Sequence, residues 1–126
     1  MRKVNKYGNK KIELNGLKFD SKLEFFCYGL LSAAGINFDF QKQITLIDKF
    51  KYNGDTIRAT TIIVDFVLYV QGKTIYLDTK GLPTAVSILK YKMLKHHLKD
   101  EIFTEVVWVK TQKETRDYVN SLIKEK

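Results

Sequence analysis

The chain has 126 residues, 44% of them hydrophobic and 29% charged, with a formal net charge of +8. That length suits one domain with a real core, and no apolar run approaches the roughly 20 residues of a membrane span, so no membrane partner is expected. The single cysteine, Cys27, excludes an internal disulfide and a cysteine-based zinc cluster, and the positive excess points to a polyanionic partner such as nucleic acid.

Residues 1–11 carry Arg2, Lys3, Lys6, Lys10 and Lys11 and no acid. They read either as a basic arm on phosphates or as a frayed, solvated terminus. They lack the apolar segment of a signal peptide, so a cytoplasmic location is expected. Asn15-Gly16, flanked by Lys11 to Leu14 and Leu17 to Phe19, is a two-residue hairpin signal.

Ser21 to Ala34 reads as a helix ending at Gly35, with Ser21 as N-cap and Glu24 completing a capping box. Glu24 shares a face with Cys27, Tyr28 and Leu31. The capping role explains Glu24 without any chemistry, and a carboxylate among apolar neighbours also suits a site. Cys27 reads as a buried structural thiol.

Asn37 to Phe50 supplies one or two strands, and Asn53-Gly54-Asp55 a turn. Ile57 is expected to begin the long strand that carries Asp65. The stretch from Thr60 to Gly81 then reads as two strands around Gln71-Gly72. If that pair is a two-residue loop, Asp65 and Asp78 face each other across the hairpin, with Cβ atoms about 4.5–5.5 Å apart. A three-residue loop would put Asp65 opposite Thr79 instead. Facing like charges destabilise a hairpin, and a divalent cation held by carboxylate oxygens offsets that. Lys80 lies two residues past Asp78, on the same strand face. The plainer readings make Asp65 a protective edge-strand charge and Asp78 and Lys80 solvent-facing.

Thr84 is a plausible N-cap for a second helix, Ala85 to Lys99, which carries Lys92, Lys95 and Lys99 close together on one side. Lys90 falls with Val86, Met93 and His97, and either snorkels or points toward the acidic hairpin. His96 and His97 are adjacent, cannot share one helix face, and read as surface or DNA-facing residues. Phe103 to Lys110 reads as a buried strand, and Thr111 starts an amphipathic helix with Tyr118, Leu122 and Ile123 as its apolar positions. Phosphate loops, nucleophile elbows and HExxH motifs are absent. The order is hairpin, helix, three strands, helix, strand, helix: a single α/β domain over 1–126 with a central mixed sheet.

The pattern Glu24, Asp65, Asp78-Thr79-Lys80 resembles the PD-(D/E)XK nuclease superfamily, which includes restriction endonucleases and Holliday junction resolvases. KYGNKK at Lys6–Lys11, GLKFDSKLE at Gly16–Glu24, IRATTIIVDF at Ile57–Phe66 and LDTKG at Leu77–Gly81 are similar to small phage-borne proteins of that superfamily. The resemblance spans roughly residues 6–95. It implies a restriction-endonuclease-like core (α-β-β-β-α-β) and Mg²⁺-dependent hydrolysis of DNA, with Mn²⁺ as substitute. Asp65 and Asp78 match metal-binding acids, Lys80 the catalytic lysine, Glu24 the first-helix glutamate, and Lys90 a polar residue that some members place on the second helix. Val64 stands where many members have proline. The basic residues Lys10, Lys11, Lys92, Lys95 and Lys99 are the expected DNA contacts. Branched DNA is the first substrate to try, acting through a homodimer in a phage-infected or prophage-bearing host. An inactive nuclease-like module that binds DNA or protein, and an RNA-directed enzyme, are the competing readings.

Overall fold

The computed structural model describes residues 11–124. Strands β1 (Ile12–Leu14) and β2 (Leu17–Phe19) form a small hairpin, followed by helix α1 (Lys22–Ala33). Then come β3 (Asn37–Ile47), a second small hairpin of β4 (Phe50–Tyr52) and β5 (Asp55–Ile57), and the long pair β6 (Thr60–Val70) and β7 (Lys73–Thr79). Helix α2 (Ala85–Leu98), strand β8 (Thr104–Val109) and helix α3 (Gln112–Lys124) complete the order. The central sheet runs β3-β6-β7-β8, antiparallel except for the parallel pair β7-β8. The result is a small α/β domain with a mixed sheet and three helices.

One face of the sheet packs on α1 and α3. Phe66, Leu68, Val70, Ile75, Leu77 and Val109 meet Cys27, Leu31, Val119 and Leu122 there. The other face packs on α2, with Ile62, Val64 and Val67 against Tyr91, Leu94 and Leu98. Burying apolar surface on both faces is what holds the sheet between its helices.

The turn chemistry follows the sequence. Gln71 and Gly72 both have positive φ, 50° and 79°, and Val70 pairs with Lys73. That is a two-residue hairpin loop, whose twist suits the strands it joins. The three-residue alternative is thereby excluded.

Several expectations are corrected. Ile57 does not begin the long strand. It pairs with Phe50 in the β4-β5 hairpin, and β6 starts at Thr60, because Asn53-Gly54 turns the chain back within three residues. The Ser21–Glu24 capping box is only half made. Ser21 Oγ accepts from the Glu24 amide at 3.1 Å, but the Glu24 carboxylate accepts from the amide of Asp20 rather than that of Ser21. The strand at Thr104–Val109 is an edge strand and only half-buried for most of its length. On α3 the buried positions are Thr115, Val119 and Leu122, whereas Ile123 is exposed. The basic arm at residues 1–11 lies outside the described residues except for Lys11.

An aromatic cluster fixes where α1 starts. Phe19 of β2 is buried and packs on Phe25 and Tyr28 of α1 and on Phe40 of β3, and Phe40 packs on Phe66 of β6. Such ring pairs add about 0.5–1.5 kcal/mol each beyond burial. They hold the first turn of α1, and with it Glu24, beside the strand residue that follows Asp65.

Candidate active site

Alternation breaks at one level of the sheet. Side chains two residues apart on a strand face the same way, yet Val64 packs toward α2 and Phe66 toward α1 and α3. The partner strand does the same: Phe38 and Phe40 join one core, Ile44 and Leu46 the other. Between them lie Asp65 and Gln41, enclosed by the pairs Phe40–Phe66 and Lys42–Val64. Gln41 has a φ of 55°, and this left-handed residue reverses which face the strand presents.

The same level is where β6 and β7 part. Their pairing runs from Val70–Lys73 to Phe66–Leu77. Beyond it β6 stays with β3 and β7 with β8. Asp65 and Asp78 occupy the opening and replace the missing backbone bonds. The Asp65 amide donates to Asp78 Oδ1 at 3.0 Å. The amide and hydroxyl of Thr79 donate to Asp65 Oδ2 at 2.9 and 2.8 Å. Lys80 Nζ sits 4.0 Å from Asp78 Oδ2. Asp65 therefore lies on a central strand, which rules out the edge-charge reading.

Glu24 reaches this opening from α1. It is 2% exposed, and Asp78 is 3% exposed. Glu24 Oε1 accepts from the Asp20 amide at 3.0 Å and from Gln41 Nε2 at 3.1 Å. The carboxyls of Glu24 and Asp65 lie close enough for each to shift the pKa of the other.

Burial is the main cause of the raised pKa values here, with neighbouring negative charge second in importance. Desolvation and the Glu24 charge push Asp65 up to about 7. Desolvation and the Asp65 charge push Asp78 up to about 7. Desolvation also raises Glu24. Cys27 is fully buried, and desolvation together with the charges of Asp65 and Glu24 drives its pKa upward. It stays a neutral thiol, as a structural cysteine should.

Tyr91 of α2 closes the site from the other face. Its hydroxyl is buried without a well-formed hydrogen bond, yet it lies close enough to Asp78 to lower the carboxyl's pKa, while Asp78 raises that of the phenol. Tyr91 stacks on Trp108 at 4.8 Å, and Trp108 Nε1 donates to the Lys80 carbonyl at 2.9 Å. With the Lys80 amide bonded to Val109, β8 locks the backbone that carries Lys80.

Lys90, one residue before Tyr91, is half-buried and forms no ion pair with these acids among the described residues. Lys92, Lys95, His96, His97 and Lys99 are all exposed, and Lys99 pairs with Asp100 at 3.0 Å. Lys99 is eight residues from Tyr91, about 12 Å along the helix axis. Lys11 is exposed at the edge of β1, and Lys10 lies outside the described residues.

The donor set suits a hard divalent cation: three carboxyls, all oxygen ligands, crowded where only a proton or a cation offsets their repulsion. Each acid is anchored through one oxygen. Among the described residues no three such side chains already converge on a single cation-sized point.

Residues 4–116 match the model of a family described as Protein of unknown function (DUF1064). The chain belongs to the DUF1064 family. No curated protein matches this DUF1064 chain. The matched span holds every acid of the site together with Lys80, Tyr91 and Gln41.

Sequence reasoning missed Gln41, Thr79, Tyr91 and Trp108. Tyr91 was findable, since it heads the stripe Tyr91, Leu94, Leu98 that the helix buries. Nothing in the sequence marks Gln41, because a positive φ is uncommon for glutamine.

Proposed function

We propose that this DUF1064 protein is a Mg²⁺-dependent endodeoxyribonuclease of the PD-(D/E)XK type with a restriction-endonuclease-like core. The observation that carries this is the meeting of Asp65 and Asp78 where β6 and β7 separate, with Lys80 Nζ 4.0 Å from Asp78. Capping the backbone amides at the opening would take only neutral acceptors, whereas a cation site needs the charge of two buried acids.

Asp65, Asp78 and Glu24 hold the cation. When bound, the cation supplies a water of lowered pKa and neutralises charge on a phosphoryl oxygen. The Lys80 ammonium stabilises the negative charge that develops on the phosphate. Lys92, Lys95 and Lys99 supply sequence-independent affinity for the DNA backbone.

Plasmid and four-way junction DNA incubated with Mg²⁺ test the proposal, beside the Asp78→Ala variant. The wild type is expected to cut and the variant to bind without cutting. Cleavage by both proteins, or by neither, rejects the assignment. A matched RNA substrate distinguishes a DNA enzyme from an RNA enzyme.

A second reading is a nuclease-like module that binds DNA or protein without chemistry. It is favoured by apolar side chains left exposed around the start of α2, namely Leu82 before the helix and Val86, Ile88 and Leu89 on it. Retained binding with no cleavage in Mg²⁺ or Mn²⁺ would select it.

A further inference from the structure

We propose that Gln41 is a positioning residue whose amide holds the Glu24 carboxylate against Asp65 and so sets how tightly the acidic pocket takes a divalent cation. This rests on the reading of the pocket as a cation site.

Gln41 sits in the middle of an eleven-residue strand, yet adopts a φ of 55°. Left-handed backbone is uncommon in non-glycine residues and is kept only where the surroundings over-determine it. Plain alternation would align its side chain with Asp39 and Gln43, both exposed. Instead it is half-buried, and its amide spends both hydrogens. One goes to Glu24 Oε1 at 3.1 Å and the other to the Lys18 carbonyl at 3.0 Å. The Asp20 amide approaches the same Oε1 at 3.0 Å. A carboxylate held by two donors at one oxygen cannot swing away from Asp65.

The chemistry of the donor matters. A lysine or arginine here would hold Glu24 but also neutralise it and compete with a cation. A neutral amide fixes the carboxylate and leaves its charge available. The bond to Lys18 ties that geometry to the β1-β2 hairpin, so the amide itself has little freedom. Partners that orient a metal-binding carboxylate are worth roughly 10- to 100-fold in metal affinity.

The test is Mn²⁺ binding by titration calorimetry at pH 8, with melting curves confirming that each variant is folded. Gln41→Gly removes the amide and suits the left-handed backbone. Gln41→Asn also tolerates that backbone, and its amide is one methylene too short. Both are expected to weaken Mn²⁺ binding by about 10-fold or more while the melting temperature is maintained. In a Glu24→Gln background, Gln41→Gly is expected to cause no further loss, because the amide acts through Glu24. Unchanged Mn²⁺ affinity in folded Gln41→Gly overturns the proposal and leaves the cation site standing. An equal, additive loss in the Glu24→Gln background overturns it as well. A wild type that takes no Mn²⁺ removes the cation reading and this proposal together. Should Gln41→Gly fail to fold, Gln41→Asn carries the same comparison.

Discussion

The amide of Asp65 donates to the carboxylate of Asp78 at 3.0 Å, one step past the last backbone pair of their hairpin. A side chain thus does the work of a strand carbonyl, and two acids are buried where a ladder would otherwise continue. The arrangement satisfies the amides of Asp65 and Thr79 while concentrating negative charge.

That concentration predicts how metal-free stability varies with pH. Asp65 and Asp78 have pKa values raised from 3.8 to about 7 in the folded protein. Between those values the folded state binds more protons than the unfolded state, so stability falls as pH rises. The loss is complete above the folded value. Urea unfolding in EDTA should therefore show lower stability at pH 8 than at pH 5, by on the order of 1 kcal/mol or more. Adding Mg²⁺ at pH 8 should restore it, since a ligand that binds only the folded state stabilises it. Equal stability at both pH values would show that the acids do not repel as their burial implies.

Lys80→Ala should abolish cleavage and leave Mg²⁺ and DNA binding nearly intact. The ammonium is partly exposed and 4.0 Å from Asp78, so little folding energy rests on it. Single-turnover cleavage beside a DNA-binding titration checks this. Turnover near the wild-type rate would remove Lys80 from the chemistry.

Tyr91→Phe removes a buried hydroxyl that lacks a well-formed hydrogen bond. Global stability should change by no more than about 1 kcal/mol. The hydroxyl lowers the pKa of Asp78, so its loss should move the acidic limb of the pH–rate profile upward. An unmoved limb would mean that Tyr91 only packs against Trp108.

The basic side of α2 predicts a steep salt response. Replacing Lys92, Lys95 and Lys99 together by alanine should weaken DNA binding and flatten its dependence on salt, by up to about three in the slope of log K against log salt. Binding measured across a salt series decides it. A slope equal to the wild type would place the DNA elsewhere on the molecule.

Sequence alone determined the Asn15-Gly16 and Gln71-Gly72 hairpins, the helices and the approach of Asp65 to Asp78 at the far end of the second hairpin. Asn-Gly and Gln-Gly turns set register locally, and period-two apolar patterns do the same for strands. It also singled out Glu24 on the face of α1 that carries Cys27 and Leu31, where its carboxyl is buried. Only the tertiary structure decided that Gln41 turns left-handed opposite Asp65, that Tyr91 rather than Lys90 meets Asp78, and that β8 locks Lys80 through Trp108. Those relationships join residues far apart in the chain. They depend on how helices and strands pack, and no local propensity encodes such packing.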